Sequence, residues 1–303
     1  MNLRDLRYVC AVAEHRHFGR AAEACHVSQP TLSGQIRKLE VYLGVDLFER
    51  SNRIVRPTPV GEEIAARARI LLQQAAEIER LAQAGRDPEA GALRLGMIAT
   101  VAPALLPLCL PALRRRFPRL HPGFVEDLTD ILLRRLADGE LDGAVIATDP
   151  GDAGLKCLPL YSEPFLVAMP KDHPLATAER VAVADLKSVH LLLLTDGHCL
   201  RDQALEVCAM AVPPGQIDTS ATSLETLVNL VGAGLGLTLV PALSVRPGWS
   251  TDPGIVCRPL DEAAARREVR LAYRTGFPRQ SLLQQVAATI REVVPTALVT
   301  PGE

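Results

Sequence analysis

The chain has 303 residues, 48% of them hydrophobic and 22% charged, with a formal net charge of −2. This length allows two or three domains with sizeable cores. The chain opens on charged residues, and no stretch approaches the roughly 20 apolar residues of a membrane helix, so we expect neither a signal peptide nor a membrane segment. Seven cysteines without the spacing of a disulfide framework indicate a cytoplasmic protein with reduced thiols.

Positive charge is concentrated near the N-terminus. Residues 1–60 contain nine Lys and Arg against six Asp and Glu, a net charge of +3, which leaves −5 for the remaining residues. A basic head on an acidic body favours an anionic partner for the head.

The first residues carry the pattern of three short helices. Apolar residues recur at helical spacing over 3–14 and 18–25, and a tight turn is predicted at His26-Val27. Ser28 is a good N-cap for the next helix, and Pro30 is tolerated in its first turn. Two short helices joined by a tight turn, the second of them polar and basic outside, predict a helix-turn-helix.

The outer face of the third helix predicts DNA contact. Its amides and hydroxyls suit base edges, and its basic side chains suit phosphates. An extended stretch at 50–56 is suited to flank the groove as a wing. The alternative is an ordinary solvated helix face. The candidate DNA-binding residues are Ser28, Gln29, Pro30, Thr31, Ser33, Gln35, Arg37, Lys38, Arg50 and Arg53.

A long helix is predicted from Pro59 to about Ala84, because Thr58 is an N-cap and proline follows at the first helical position. Apolar residues recur along it at heptad spacing and form a narrow seam. We favour a dimerisation helix over one that lies on its own domain, because a DNA-binding protein with one recognition helix binds two half-sites when it dimerises. The seam consists of Ile64, Ala68, Leu71, Ala75, Ile78 and Ala82.

From Ala92 onward, apolar strand patterns alternate with helical patterns, which predicts α/β structure in two small lobes. Ligands of such sheets bind at the strand ends. The predicted strands are 93–98, 122–126, 141–146, 165–169, 189–194, 237–240 and 269–273. The predicted helices are 103–117, 128–138, 199–209, 223–232 and 282–293.

Cys199 lies where a predicted strand, the turn Asp196-Gly197 and a helix follow one another. Unpaired N–H groups and the helix dipole favour an anion there, so we expect a lowered thiol pKa and a reactive thiolate. His198 and Arg201 are neighbours that add positive charge if they face the sulfur. The alternative is an inert buried cysteine, the usual state of a free thiol.

Cys208 follows Cys199 by nine positions on the same predicted helix. The two residues would be separated by about 13 Å along the axis and would face opposite sides. A disulfide requires Cα atoms within about 7 Å. A bridge between them therefore requires the helix to break.

Two other patterns do not predict sites. The glycines at 232–236 follow a helix, the reverse of the order in a nucleotide-binding loop. His198, Cys199 and Cys208 lack the paired spacing of zinc ligands. We therefore expect no metal and no cofactor.

The head of the chain closely resembles the LysR-type transcriptional regulators, through Phe18–Glu23, Cys25–Ser33, Leu39–Glu40, Leu43–Val45 and Phe48–Arg50. The resemblance extends over the whole chain and implies an α/β fold with an all-α N-terminal part. It implies a winged helix-turn-helix at 1–58, a linker and dimerisation helix with a hinge at 59–91, and a two-lobed, periplasmic-binding-protein-like regulatory domain at 92–303. Lobe I would comprise about 92–161 and 267–303, and lobe II about 162–266.

Within that family, Gly197–Gln203 together with Cys208 resembles the hydrogen-peroxide sensors. This resemblance implies that Cys199 is the peroxidatic and Cys208 the resolving cysteine, and that their disulfide changes the regulatory domain and its DNA binding. The peroxide pocket that it implies contains Thr100, Thr129, His198, Asp202, Gln203, Arg266 and Arg267, without deciding which arginine faces Cys199. Asp130 departs from the expected pattern, and a carboxylate beside the thiolate would raise the pKa of Cys199.

The resemblance also implies promoter DNA, hydrogen peroxide and RNA polymerase as partners of a homodimeric or homotetrameric activator in oxidative stress. A regulator that binds a small metabolite between the lobes is one alternative. A thiol peroxidase enzyme is another, which the basic helix-turn-helix and the lack of a dedicated reductant site disfavour. Replacing Cys208 by serine separates the first two readings, and sustained turnover of peroxide would support the third.

Overall fold

The computed structural model describes residues 1–50, 55–151, 154–208, 220–245, 254–261 and 265–302. The helices are Leu3–His15 (α1), Phe18–Ala24 (α2), Gln29–Leu43 (α3), Pro59–Arg86 (α4), Ala102–Arg116 (α5), Thr129–Ala137 (α6), Cys199–Cys208 (α7), Leu224–Gly232 (α8) and Gln280–Val293 (α9). The strands are Phe48–Arg50 (β1), Val55–Pro57 (β2), Gly91–Ile98 (β3), Leu120–Asp127 (β4), Gly143–Ile146 (β5), Leu155–Pro170 (β6), Leu193–Leu194 (β7), Ser220–Ala221 (β8), Thr238–Pro241 (β9), Ile255–Pro259 (β10), Arg266–Arg274 (β11) and Thr300–Pro301 (β12). Short 3-10 helices span Pro174–Thr177, Val183–Ser188 and Ala242–Ser244.

The chain divides into two compact units, Met1–Gly85 and Arg86–Glu303. In the first, α1, α2 and α3 enclose an apolar core that includes Leu32 and Ile36. The turn at His26 has a positive φ of 55°, and the Ser28 hydroxyl accepts a hydrogen bond from the Thr31 N–H at 3.3 Å. These contacts confirm the predicted helix-turn-helix and its N-cap.

The wing is an antiparallel pair of short strands, β1 and β2, in which Glu49 faces Arg56. The two ends of the extended stretch predicted at 50–56 fall in these strands, and its residues 51–54 lie outside the described residues. Arg50 ends β1, whereas Arg53, a predicted DNA contact, lies outside the described residues. Helix α4 follows from Pro59, and the Gly61 N–H donates to the Thr58 hydroxyl at 3.0 Å, which confirms the predicted cap.

The second unit has two lobes joined by the long strand β6. In lobe I the order β4-β3-β5-β11 is continued by the first half of β6. The second half of β6 pairs with β9 and β10 in lobe II. One apolar core lies on the lobe I sheet, with Leu95 and Val286 among its members, and a separate core in lobe II includes Val167 and Cys208.

The predicted α/β alternation is confirmed, with differences in several strands. The strand expected at 189–194 is reduced to the two-residue β7, which pairs in parallel with β8, while Leu191 before it makes an isolated bridge to Leu237. The first half of β6 was not predicted, since Pro159 interrupts its apolar pattern, and the short strands β8, β10 and β12 were not predicted either. Among the described residues, no helix combines the length and the apolar character required to cross a membrane.

Candidate functional site

The turn before α7 opens a small cavity at Cys199. Gly197 has a φ of +91°, and a Cβ there would come within 3.1 Å of Leu128, so only glycine fits this turn without strain. The cavity measures about 10 Å³. A cavity needs about 10–15 Å³ to hold one water molecule, so this one has room for about one molecule of that size. Its walls are Ile98, Ala99, Thr100, Asp127, Leu128, Thr129, Gly197, His198 and Cys199.

Cys199 is half-buried and packs on the edge of the lobe I core. Burial raises the pKa of the Cys199 thiol above its ordinary value. The positive charge of Arg267 opposes that rise, as do the nearby Thr129 hydroxyl and the Leu200 N–H, while the charge of Asp202 adds to it. The expectation of a lowered pKa is therefore wrong, because desolvation outweighs the helix terminus and the nearby donors.

Arg267 is the cation of the site, and it is itself almost fully buried. Its Nε and Nη2 lie 2.9 Å from Glu163 Oε1. Nη1 donates to the Thr100 hydroxyl oxygen at 2.9 Å, and Nη2 donates to the Thr100 carbonyl at 3.1 Å. This fork fixes the guanidinium against the cavity wall.

The two threonine hydroxyls present donors at the cavity. Because Thr100 Oγ1 accepts from Arg267, its own proton is available for a group in the cavity. Thr129 Oγ1 is buried and makes no hydrogen bond to a described residue in the thiol state, yet its proximity lowers the pKa of Cys199. The Thr129 hydroxyl is thus placed to donate to a thiolate.

The remaining predicted pocket residues divide into three groups. His198 lines the cavity, and burial lowers its pKa, so it does not supply the positive charge expected of it. Gln203 is half-buried and donates to the Ala147 carbonyl at 2.7 Å, and Asp202 is exposed but acts on the Cys199 thiol by its charge. Arg266 is exposed on the surface, where it bonds Ser162 and Thr300, and it does not line the cavity.

Two charged groups do not act as the sequence suggested. Arg201 turns back to Asp196, 2.9 Å away, and to the Leu194 carbonyl, and it is absent from the charges that act on Cys199. Asp130 is exposed in the first turn of α6 and is absent from them as well. The expected penalty from Asp130 is therefore wrong, and the carboxylate that raises the pKa of Cys199 is Asp202.

Cys208 ends the same helix in different surroundings. Its side chain is fully buried in the lobe II core, and this burial raises its pKa. Helix α7 is continuous from Cys199 to Cys208, and both thiols are free. Nine helical steps separate the two residues by about 13 Å along the axis, so the predicted need for the helix to open before they bridge stands.

The predicted DNA-reading face lies on α3. Gln29, Pro30, Thr31, Arg37 and Lys38 are exposed, and Ser33 and Gln35 are half-buried. The buried side of the same helix packs on α1 and α2. The structure thus presents amides, hydroxyls and cations together on one helix.

The seam of α4 changes its burial along the helix. Ala68 is buried and Ile64 packs on the helix-turn-helix core, whereas Leu71 is 45% and Ile78 is 68% exposed. Exposed large aliphatic side chains at heptad positions are typical of a helix that pairs with another.

A basic winged helix-turn-helix followed by a two-lobed α/β domain defines a LysR-type transcriptional regulator. The chain belongs to this family: the bacterial regulatory helix-turn-helix of the lysR family matches residues 3–62, and the LysR substrate binding domain matches residues 86–295. Curated relatives include the hydrogen peroxide-inducible genes activator of Pectobacterium carotovorum, 46% identical over 96% of this chain and 96% of that protein.

Solved structures of relatives cover both units or one of them. A full-length OxyR variant from Pseudomonas aeruginosa is 41% identical, with a TM-score of 0.77, and the match covers 100% of this chain and 99% of that one. A crystal structure of the oxidized form of OxyR is 43% identical, with a TM-score of 0.61, over 68% of this chain and 97% of that one. The fold predicted from the sequence is confirmed by these matches.

Proposed function

We propose that this regulator senses hydrogen peroxide through Cys199 and Cys208 and converts the reaction into a change of promoter binding. The Cys199 thiolate attacks one oxygen of peroxide, the O–O bond breaks, and an S–O bond forms. The departing hydroxide takes up a proton and becomes water, which leaves a sulfenic acid on Cys199. Thr100, as a donor, stabilises the departing oxygen, and Thr129 stabilises the thiolate.

The second step links the two ends of α7. The Cys208 sulfur attacks the Cys199 sulfur, the S–S bond forms, and the S–O bond breaks with release of a second water. Two thiols are oxidised while one peroxide is reduced to two waters. Because an intact α7 keeps the two sulfurs apart, this step proceeds only when the helix opens, and the oxidised regulatory domain has another shape.

The observation that carries this proposal is the cavity at Cys199. It has room for about one water-sized molecule, and two hydroxyl donors and an imidazole stand around it. A metabolite of many heavy atoms does not fit there, since ligand pockets for such molecules measure about 300–1,000 Å³. The names of relatives such as the hydrogen peroxide-inducible genes activator support the same chemistry.

The output of the sensor is promoter DNA bound by α3 and the wing. The exposed heptad residues of α4 support a homodimer or a higher homo-oligomer, in which two recognition helices read two half-sites. We expect contact with RNA polymerase for an activator, and a cytoplasmic location for a protein that acts on promoters. In the absence of an added reductant, we expect one disulfide per protomer and no sustained turnover, as for a sensor that is not an enzyme.

The test compares promoter footprints of the full-length wild type and Cys208→Ser, with and without hydrogen peroxide. Peroxide should change the wild-type footprint and leave that of Cys208→Ser unchanged. Cys257→Ser, which removes a half-buried thiol elsewhere in lobe II, is the matched control and should respond like the wild type. A peroxide response that survives in Cys208→Ser would contradict the proposed switch.

A further inference from the structure

Glu163 is a fully buried carboxylate near the middle of β6, the strand that joins the two lobes. It lies opposite Arg267 in the ladder with β11, and its Oε1 is 2.9 Å from two nitrogens of that guanidinium. Its Oε2 accepts a hydrogen bond from the Leu243 N–H at 2.8 Å. Both oxygens are therefore engaged, and the side chain has one orientation.

The other end of the guanidinium reaches the peroxide cavity. Arg267 holds Thr100 by both its hydroxyl and its carbonyl, and Thr100 lines the cavity. Glu163, Arg267 and Thr100 thus form a continuous chain of charge-assisted hydrogen bonds that ends at the donor hydroxyl. A guanidinium presents its donors in a rigid fork, so the anchor on one side sets the geometry on the other.

Such an arrangement is poorly explained by stability alone. Burial of two charges costs several kcal/mol per ion before their attraction is counted, and apolar replacements of buried pairs are often as stable. A buried pair whose far side meets a reactive group has a use beyond packing.

We propose that Glu163 is a positioning residue for the reaction of Cys199 with peroxide, holding the Arg267 fork against Thr100 and sharing the Arg267 charge with the Cys199 thiolate. This inference rests on the proposed function. Glu163 does not line the cavity and acts through Arg267. Glu163 restrains formation of the Cys199 thiolate and at the same time fixes the Thr100 donor. It therefore sets the rate at which Cys199 reacts with peroxide.

The charged groups around Cys199 and Arg267 determine what removal of the Glu163 charge would change. Arg267 on β11 favours the thiolate, and Asp202 on α7 disfavours it. His198 and Asp127 line the cavity, and Asp127 accepts a hydrogen bond from the Leu128 N–H at 2.9 Å. On the far side, the buried Tyr161 hydroxyl lies near Glu163 and Arg267, and both burial and the charge of Glu163 raise its pKa. Removing the Glu163 charge leaves the Cys199 thiolate as the main anion available to Arg267.

The experiment measures two rates at Cys199 across pH in the full-length protein, by quenching and mass spectrometry. Alkylation by iodoacetamide reports the thiolate fraction without peroxide, and loss of the thiol to hydrogen peroxide reports the reaction. In Glu163→Gln, the alkylation midpoint should move to lower pH, because the Arg267 charge is no longer shared. The peroxide rate at equal thiolate fraction should fall about tenfold, because the donor geometry is no longer held.

Two further variants separate positioning from a general loss of structure. Glu163→Asp keeps the charge on a shorter side chain, so the midpoint should stay in place while the peroxide rate falls. It also carries the test if Glu163→Gln does not fold. Asp142→Asn is the matched control, because it neutralises a buried carboxylate paired with Arg94, 3.1 Å away, and it should change neither rate.

Wild-type behaviour of Glu163→Gln in both measurements would overturn the inference, as would a lower rate in it without a shift of the midpoint. A wild-type peroxide rate in Glu163→Asp would also overturn it. If Cys199 of the wild type does not react with peroxide, the proposed function fails, and the alkylation midpoints still decide whether Glu163 acts on Cys199.

Discussion

The two ends of helix α7 carry the same side chain in opposite settings. Cys199 begins the helix beside a cavity, with a cation, a hydroxyl and a backbone N–H that favour its thiolate. Cys208 ends it in the apolar core of lobe II, where burial raises its pKa. The Cys199 thiol is accessible to a small molecule in the cavity, whereas the Cys208 thiol is buried away from it.

This difference gives the reaction an order. Burial disfavours the charged form of both thiols, and among the described residues specific groups oppose that cost at Cys199 alone. Cys208 becomes a partner only after α7 has opened and brought it out of the core. The helix thus delays the second step, and the free energy released by disulfide formation has to exceed the loss of packing around Cys208.

The largest effect should come from removing the first thiol. In Cys199→Ser, we expect no peroxide-dependent change of promoter binding and no oxidation of Cys208 at peroxide doses that convert the wild type, because Cys208 has no access to peroxide. In Cys208→Ser, Cys199 should still form a trappable sulfenic acid. Equal oxidation of Cys208 in the wild type and in Cys199→Ser would contradict this account, because it would show that peroxide reaches both thiols directly.

A smaller effect is expected when one donor at the Cys199 end is removed. Thr129→Val keeps the shape and removes the hydroxyl that favours the thiolate. A hydrogen bond to a charged group contributes about 1.5–3 kcal/mol, so the peroxide rate at pH 7 should fall about ten- to hundredfold. Stopped-flow kinetics measure this peroxide rate. Thr129→Ser is the control: it retains the hydroxyl and should react at a rate near that of the wild type.

Asp202→Asn should act in the opposite direction and more weakly. The exposed Asp202 carboxylate raises the pKa of Cys199, so its neutralisation should lower that pKa and speed the reaction about two- to fivefold, the range of exposed charge pairs. Asp130→Asn is the matched control on α6. We expect it to leave the rate unchanged, and a larger acceleration by Asp130→Asn would contradict the placement of charge described here.

The smallest effect concerns stability at high pH. A thiol whose pKa is raised by folding keeps its proton in the folded state while the unfolded chain loses it, so stability falls as pH rises above the ordinary value of 9.0. In Cys208→Val this contribution is absent, and the denaturant midpoint should decline less between pH 8 and 10 than in the wild type. An equal decline in both proteins would show that burial of Cys208 does not perturb its titration.

Much of this site could be predicted from local patterns, because its elements are local. The turn and the helix around Cys199 follow from Asp196-Gly197 and a helical register, and of the strand predicted from the apolar run the last two residues form β7. Local patterns could not predict which cation acts on Cys199. Arg201 is adjacent in sequence but bonds Asp196, whereas Arg267 arrives from β11 through the sheet.

Burial was the second property that local patterns did not contain. A helix start alone predicts a lowered pKa for Cys199, and packing against lobe I reverses it. Glu163 gave no signal in the sequence, since a single glutamate in an apolar strand acquires its meaning only from the partner that faces it across the ladder. The family resemblance located the arginine pair, and the structure shows which member turns inward.

The most direct measurement is mass spectrometry of tryptic peptides after a brief, low dose of hydrogen peroxide to the full-length protein, with thiols trapped before digestion. We predict that a Cys199–Cys208 cross-link forms before any of the other cysteines changes, and that Cys199 sulfenic acid precedes it. A Cys199 that remains a free thiol while other cysteines are oxidised would contradict the account.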